Sequence, residues 1–143
     1  MKLNPDCIRD LLLYLEDNLV IVNRNTFSEI TLEQLKQKFL EFYSEDDIFY
    51  SIYNLHKIRF IDGKINDVSD MKMFYCEIQN ITWSGHQFIN TVRPKSIWDA
   101  TKNGAYKLGI TSISALSSIA MSVSNAVITN PTVIHKIVDK IQF

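Results

Sequence analysis

His56, His86 and His135 are the only histidines in the chain, and none has a histidine or cysteine partner at the short spacing that brings two side chains onto one metal ion. No metal and no cofactor is expected. Ser84-Gly85-His86 sets a hydroxyl beside an imidazole, the elements of an activated nucleophile. These residues fall where a strand passes into a helix, so their side chains diverge. The segment reads better as a helix N-terminus with a glycine packing contact. Asp62-Gly63-Lys64 lacks the flanking glycines of a phosphate-cradling loop and reads as a turn. Cys7 and Cys76 lie 69 positions apart with no CxxC spacing. Together with the absence of a signal-peptide pattern at Met1-Lys2-Leu3-Asn4-Pro5, this predicts a reducing, cytoplasmic setting and free thiols. The residue types point to a binding protein and not to an enzyme.

The rest of the composition narrows what is bound. With 143 residues, 46% hydrophobic and 22% charged, the chain can bury one core and carry an appendage. A net charge of −1 supplies no general attraction to nucleic acid or to anionic membrane. Residues 1–60 hold seven Lys/Arg against ten Asp/Glu, and residues 61–107 hold six against five. Any surface that contacts DNA is therefore a local patch on a mildly acidic body.

The elements that would position such a patch follow from periodicity and capping. Asn4-Pro5 is an N-cap with proline at the first helical position, and Ile8, Leu11, Leu12, Leu15 and Leu19 repeat at helical spacing to a helix end near Asn18. Asn23-Arg24-Asn25 signals a loop, and Phe27–Ile30 alternates as a very short strand. Thr31 and Gln34 form a capping box for a second helix with an apolar stripe of Leu32, Leu35, Phe39 and Leu40. Ser44, with Asp47 three residues on, caps a third helix that runs to about His56 and buries Ile48, Phe49, Ile52 and Leu55.

The period then changes. Ile58, Phe60 and Asp62-Gly63 mark a strand and a turn, Asn66–Asp70 a polar tip, and Phe74–Ile81 a second strand. Thr82 caps a fourth helix, Trp83–Val92, with Phe88, Ile89 and Val92 inward. Trp83, Phe88 and Trp98 are expected to be structural. Ser96 opens a fifth helix carrying Ile97, Trp98 and Leu108, weakened in its middle by Asn103-Gly104. Pro131 precedes a last helix through Val133, Ile134, Ile137, Val138 and Ile141. Three helices followed by a β-hairpin is the winged-helix order. The predicted architecture is α+β and mostly helical, with a winged helix-turn-helix core over 1–92 and a C-terminal helical extension over 93–143.

The opening Met-Lys-Leu-Asn-Pro-Asp-Cys-Ile-Arg-Asp-Leu-Leu-Leu-Tyr-Leu-Glu, the segment Ile30-Thr31-Leu32, and the run Ile81-Thr82-Trp83-Ser84-Gly85-His86-Gln87-Phe88-Ile89 followed by Ile97-Trp98 and Lys102 resemble domain of unknown function 2513. The resemblance spans about residues 1–110 and is most specific in the Thr-Trp-x-Gly-His-x-Phe-Ile segment. It implies a winged-helix-like fold and an origin in prophages and mobile elements of Gram-positive bacteria. It supplies no catalytic or binding residues.

In a winged helix that binds DNA, the third helix enters the major groove and the wing reaches the backbone or minor groove. With Ile48, Ile52 and Leu55 inward, the expected outer face holds Asp47, Tyr50, Ser51, Asn54 and Lys57. Tyr50, Ser51, Asn54 and Lys57 are then candidate readers, with Asn54 suited to adenine, while Lys57, Lys64 and Lys72 are candidate phosphate anchors. Glu45, Asp46 and Asp47 stand at the helix end that would approach the duplex and would repel phosphate. They give the alternative, a protein-interaction module whose acidic surface engages a host protein, as in a phage factor that blocks or redirects it.

Leu108–Ile134 carries no charged residue, yet its many serines, threonines and asparagines make a membrane span unfavourable. Ile113, Leu116, Ala120, Val123 and Val127 instead form a stripe at spacings of three and four. It suits a helix–helix contact, either folded back on the chain or pairing two copies in a homodimer.

Overall fold

The computed structural model describes residues 2–24, 26–68, 73–109 and 112–129. Lys72, the expected last helix beyond Pro131, and His135 lie outside the described residues. In chain order the elements are α1 (Pro5–Asn18), β1 (Ile21–Asn23), β2 (Thr26–Phe27), β3 (Ile30–Thr31), α2 (Leu32–Phe39), α3 (Glu45–Lys57), β4 (Ile61–Val68), β5 (Met73–Ile81), α4 (Trp83–Val92), α5 (Lys95–Leu108) and α6 (Ile113–Thr129). They divide into two compact units, residues 6–86 and residues 1–5 with 87–143.

In the first unit, α1 buries Cys7, Ile8, Leu11, Leu12 and Leu15, the face its periodicity predicts. Tyr43, in the turn after α2, donates its hydroxyl to Asp10 Oδ2 on α1. Burial and that carboxylate together hold the phenol protonated well above its ordinary range. Tyr14 meets the Phe39 ring edge-on at 5.5 Å, which fastens α1 to α2.

β3 runs straight into α2, so Thr31 serves both as the last strand residue and as the N-cap. Its hydroxyl accepts from the Gln34 N–H, and the Gln34 side chain accepts from the Thr31 N–H at 2.8 Å, which completes the capping box. Leu35 and Phe39 face the core, whereas Leu40 is half exposed and falls outside the expected stripe. Leu40 follows the last helical residue, where the chain already turns away.

The three-stranded antiparallel sheet has the order β3-β5-β4. β4 and β5 pair from Ile61↔Ile81 to Val68↔Met73, with a bulge between Asp62 and Gly63. Asp62-Gly63 is therefore not a turn, and Asn66 and Asp67 belong to a strand and not to a hairpin tip. The glycine has a steric reason: a Cβ at position 63 would lie 2.1 Å from the Glu77 carbonyl oxygen across the ladder. Ile58, Arg59 and Phe60 are not strand either. They close α3, with Arg59 left-handed at φ 62° and the N–H of Phe60 reaching the Leu55 carbonyl at 2.9 Å, a Schellman-type ending. The loop signal at Asn23-Arg24-Asn25 begins inside β1, which pairs with β2 in a small two-stranded sheet whose residues are all exposed, and Asn25 lies outside the described residues.

In the second unit, α5 packs against α6. Trp98, Thr101 and Ala105 of α5 and Ile113, Leu116 and Ala120 of α6 are buried. Asn103-Gly104 does not interrupt α5, which ends at Gly109 in the left-handed conformation. A Cβ on Gly104 would lie 3.3 Å from Ile119 of α6. Leu108 is largely exposed and is not part of the core stripe. Among the described residues no helix is long and apolar enough to cross a membrane.

Candidate interaction face on the third helix

α3 is held from both ends and from behind. The Ser44 hydroxyl accepts from the Asp47 N–H at 3.1 Å at its start, and the Cys7 thiol donates to the Asp47 carbonyl at 3.7 Å. Burial pushes the Cys7 thiol up to about 11 and the Cys76 thiol up to about 12, so both remain protonated and poorly nucleophilic near neutrality.

The buried stripe of α3 is Ile48, Ser51, Ile52 and Leu55. Ser51 is thus removed from the expected reading face: it lies three residues after Ile48 and four before Leu55, in the middle of the inward stripe. It is 1% exposed, and the polar group its hydroxyl faces is the Cys7 thiol, which that contact favours in its ionised form against the stronger effect of burial. Ser51→Ala should leave the melting temperature within a few degrees of the parent, because the hydroxyl gives up only a contact with a thiol, a weak hydrogen-bond partner. A clear drop in a thermal melt would contradict this placement.

Including Ser51 in the core rotates the opposite face to Asp46, Tyr50, Tyr53 and Lys57. Phe49, expected to be inside, is only half buried, and Tyr53 is exposed. The Phe49 and Tyr53 rings stack at 6.5 Å with an interplanar angle of 19°, and Lys57 Nζ lies 5.7 Å from the Tyr53 centroid. The result is an aromatic ledge with a cation at its C-terminal end. Asn54 is half buried, and its side-chain amide donates to the Tyr50 carbonyl at 2.8 Å. One of the donors wanted for reading adenine is therefore already engaged by the helix itself.

The acidic end is less negative than its sequence. Glu45 accepts from Lys36 of α2 at 2.7 Å, and Glu33 lies 3.7 Å from the same ammonium. The Glu45 hydrogen bond raises the Lys36 pKa. Asp46 is exposed, and Asp47 is turned half inward. On the sheet, Lys64 faces Glu77 across the β4–β5 ladder at 4.0 Å, and Glu77 also accepts from the Tyr75 hydroxyl. Gln79 donates to Glu29 at 2.7 Å, which holds that carboxylate below its usual range. The outer face of the sheet therefore carries Glu29, Glu77 and Asp62 around Lys64, a poor phosphate anchor. Among the described residues no His/Cys/Asp/Glu cluster is placed to hold a metal ion.

The Thr82-Trp83-Ser84-Gly85-His86 segment is built around a backbone junction. The Thr82 hydroxyl accepts from the Gly85 N–H at 3.1 Å and donates to the Arg59 carbonyl at 2.6 Å, while the Thr82 N–H reaches the Phe60 carbonyl at 3.0 Å. Ser84 and His86 lie two positions apart on one helical turn and point to different sides. Trp83 is 77% exposed, which corrects the expectation that it belongs to the core. Phe88 and Trp98 are buried as expected.

Of the C-terminal stripe, Ile113, Leu116 and Ala120 are buried within the chain, while Val123 and Val127 are half exposed. Tyr53, Phe49 and Trp83 are the residues that sequence patterning missed as surface features. Treating position 51 as core would have exposed the first two. No curated protein and no solved structure gives a significant match. A family model described as hypothetical protein (DUF2513) matches residues 2–111, and the chain belongs to that family, domain of unknown function 2513.

Proposed function

We propose that the chain is a winged-helix binding module of the cytoplasm that engages a protein through the outer face of α3. The winged-helix reading is supported by the order α1, β3, α2, α3, β4, β5 and by β3 pairing at the outer side of β5. The protein-binding reading rests on one observation, the ledge formed by the exposed Tyr53 ring and the half-buried Phe49 and Tyr50, with Lys57 at its end. Exposed aromatic side chains bury large areas at low entropic cost, which makes them frequent anchors of protein interfaces. A catalytic role is not part of this proposal.

Duplex DNA is the second reading, favoured by the helix-then-hairpin topology and by Lys57 on the outward face. It is the weaker of the two. Ser51 is in the core, Asn54 is tied to its own helix, and Lys64 is opposed by Glu77.

A photo-crosslinking residue at position 53 in nuclease-treated lysate should yield protein adducts that nuclease does not diminish. Duplex binding, measured by fluorescence anisotropy, should be weak and lost by about 200 mM salt, because few phosphates are neutralised. Replacing Lys57 and Lys64 together should abolish it. Tight, salt-tolerant binding that survives the double replacement would sink the protein-binding reading in favour of DNA.

A further inference from the structure

The outer face of α3 has an internal symmetry in its charges and rings. Asp46, Tyr50, Tyr53 and Lys57 follow one another at spacings of four, three and four, the d-a-d-a seam of a heptad pattern. The midpoint of Asp46 and Lys57 coincides with the midpoint of Tyr50 and Tyr53, between residues 51 and 52. We propose that this face is a self-complementary docking surface, and that its occupant is α3 of a second copy of the chain, packed antiparallel about a twofold axis. The proposal rests on reading α3 as a protein-binding face and names the partner.

Charge decides the orientation. In a parallel pair Asp46 would meet Asp46 and Lys57 would meet Lys57, both repulsive. In an antiparallel pair Asp46 of each copy meets Lys57 of the other, and Tyr50 meets Tyr53, so each layer is complementary and each occurs twice. Lys57 already leans on the Tyr53 ring at 5.7 Å, which sets its ammonium at the end of the aromatic layer where Asp46 of the second copy would arrive. Glu45 does not compete for that lysine, since Lys36 holds it at 2.7 Å. On one flank the Phe49 ring, stacked on Tyr53, extends the apolar area. On the other, the Asn54 amide is bonded to the Tyr50 carbonyl, which keeps it from intruding on the seam.

One helix pair of this length buries less than the roughly 1,200–2,000 Å² of a standard stable interface, so the dimer is in exchange with monomer. Exchange makes the seam measurable by charge reversal. Sedimentation of the purified full chain over a range of concentrations should show reversible self-association. Asp46→Lys or Lys57→Asp alone should weaken it by about tenfold or more, because each single reversal places like charges opposite each other in both end layers. The double variant Asp46→Lys/Lys57→Asp should return association to near the wild-type value, a rescue that generic surface damage does not produce. Both positions are exposed, so circular dichroism melts should show all three variants folded.

The inference is overturned if the single reversals leave association unchanged, or if the double variant is as weak as the singles. It is also overturned if Val123→Asp on α6 abolishes association while the α3 reversals do not, since the seam then lies on the C-terminal helix. A chain that stays monomeric while a crosslinker at position 53 captures a foreign protein defeats the self-pairing and leaves the protein-binding reading standing. A chain that neither associates nor forms adducts at position 53 defeats both.

Discussion

Gly85→Ala should leave little natively folded protein, although the change adds a single methyl group. A Cβ at this position would lie 2.2 Å from the Phe60 carbonyl oxygen and 2.8 Å from Ile81 Cγ2. The nearer atom is backbone and cannot rotate away. That carbonyl accepts from the Thr82 N–H at 3.0 Å, and the preceding Arg59 carbonyl accepts from the Thr82 hydroxyl at 2.6 Å. Arg59 is itself left-handed, at φ 62°, inside the turn that ends α3. Moving Phe60 to admit the methyl therefore loosens the cap of α4 and the end of α3 together. Overpacking costs about 1–3 kcal/mol, and each lost hydrogen bond or cap adds on the order of 1 kcal/mol.

The total approaches a large fraction of the roughly 5–15 kcal/mol that holds a small protein folded. Gly104→Ala is the control. Its Cβ would meet only Ile119 Cγ2, at 3.3 Å, and alanine gains about 1 kcal/mol over glycine inside a helix. Thermal melts should show Gly85→Ala severely destabilised and Gly104→Ala close to wild type. A Gly85→Ala protein that melts within a few degrees of the parent would show that the junction yields.

How far the fold was legible depends on how local each signal is. The Thr31–Gln34 box and the Ser44 cap fixed two helix starts because capping is completed within four residues, and α1 begins at Pro5, where proline suits the first helical position. Asp62-Gly63 looked like a turn because the pair favours one. The register shift there comes from the paired strand, where Asp62 faces Asn80 and Gly63 faces Ile78, so that Gln79 is the extra residue. The hairpin of Ile21–Asn23 with Thr26–Phe27 was missed for a different reason. Its residues are all exposed, so no inward alternation marks the strands.

The rotation of α3 about its axis decides which side chains the site presents. Ile48, Ile52 and Leu55 are compatible with either Phe49 or Ser51 as the fourth inward position. Hydrophobicity favours Phe49, whereas the packing buries Ser51 fully and leaves Phe49 half buried, stacked on the exposed Tyr53. A small side chain there permits close approach of the neighbouring helix, where Cys7 donates to the Asp47 carbonyl. That preference for small over apolar is visible only once the partner helix is in place. The outward face is therefore aromatic with a cation at one end, where periodicity with Phe49 inside predicts a more polar one.

The two tryptophans should part company under the same substitution. Trp98 is 2% exposed on α5, with Lys102 Nζ 5.8 Å from its ring centroid. Removing a buried ring to alanine costs roughly 3–5 kcal/mol, through lost transfer energy and the cavity left behind. Trp98→Ala should therefore be poorly soluble or melt far below the parent. Trp83 stands 77% exposed in the first turn of α4, and its cap is made by Thr82, not by the indole. Trp83→Ala should accordingly change stability by only about 0.5 kcal/mol in either direction.

Because the chain has two tryptophans, each variant also isolates the other's fluorescence. Trp98 alone should emit at short wavelength and resist quenching by acrylamide, and Trp83 alone, read through Trp98→Phe, should emit like an indole in water. If Trp83→Ala melts as low as Trp98→Ala, or if the lone Trp83 resists quenching, then Trp83 is packed in solution and its exposure on α4 is wrong. A stable Trp83→Ala protein beside a failing Trp98→Ala protein separates the residue that holds the helical unit together from one that is available to a partner.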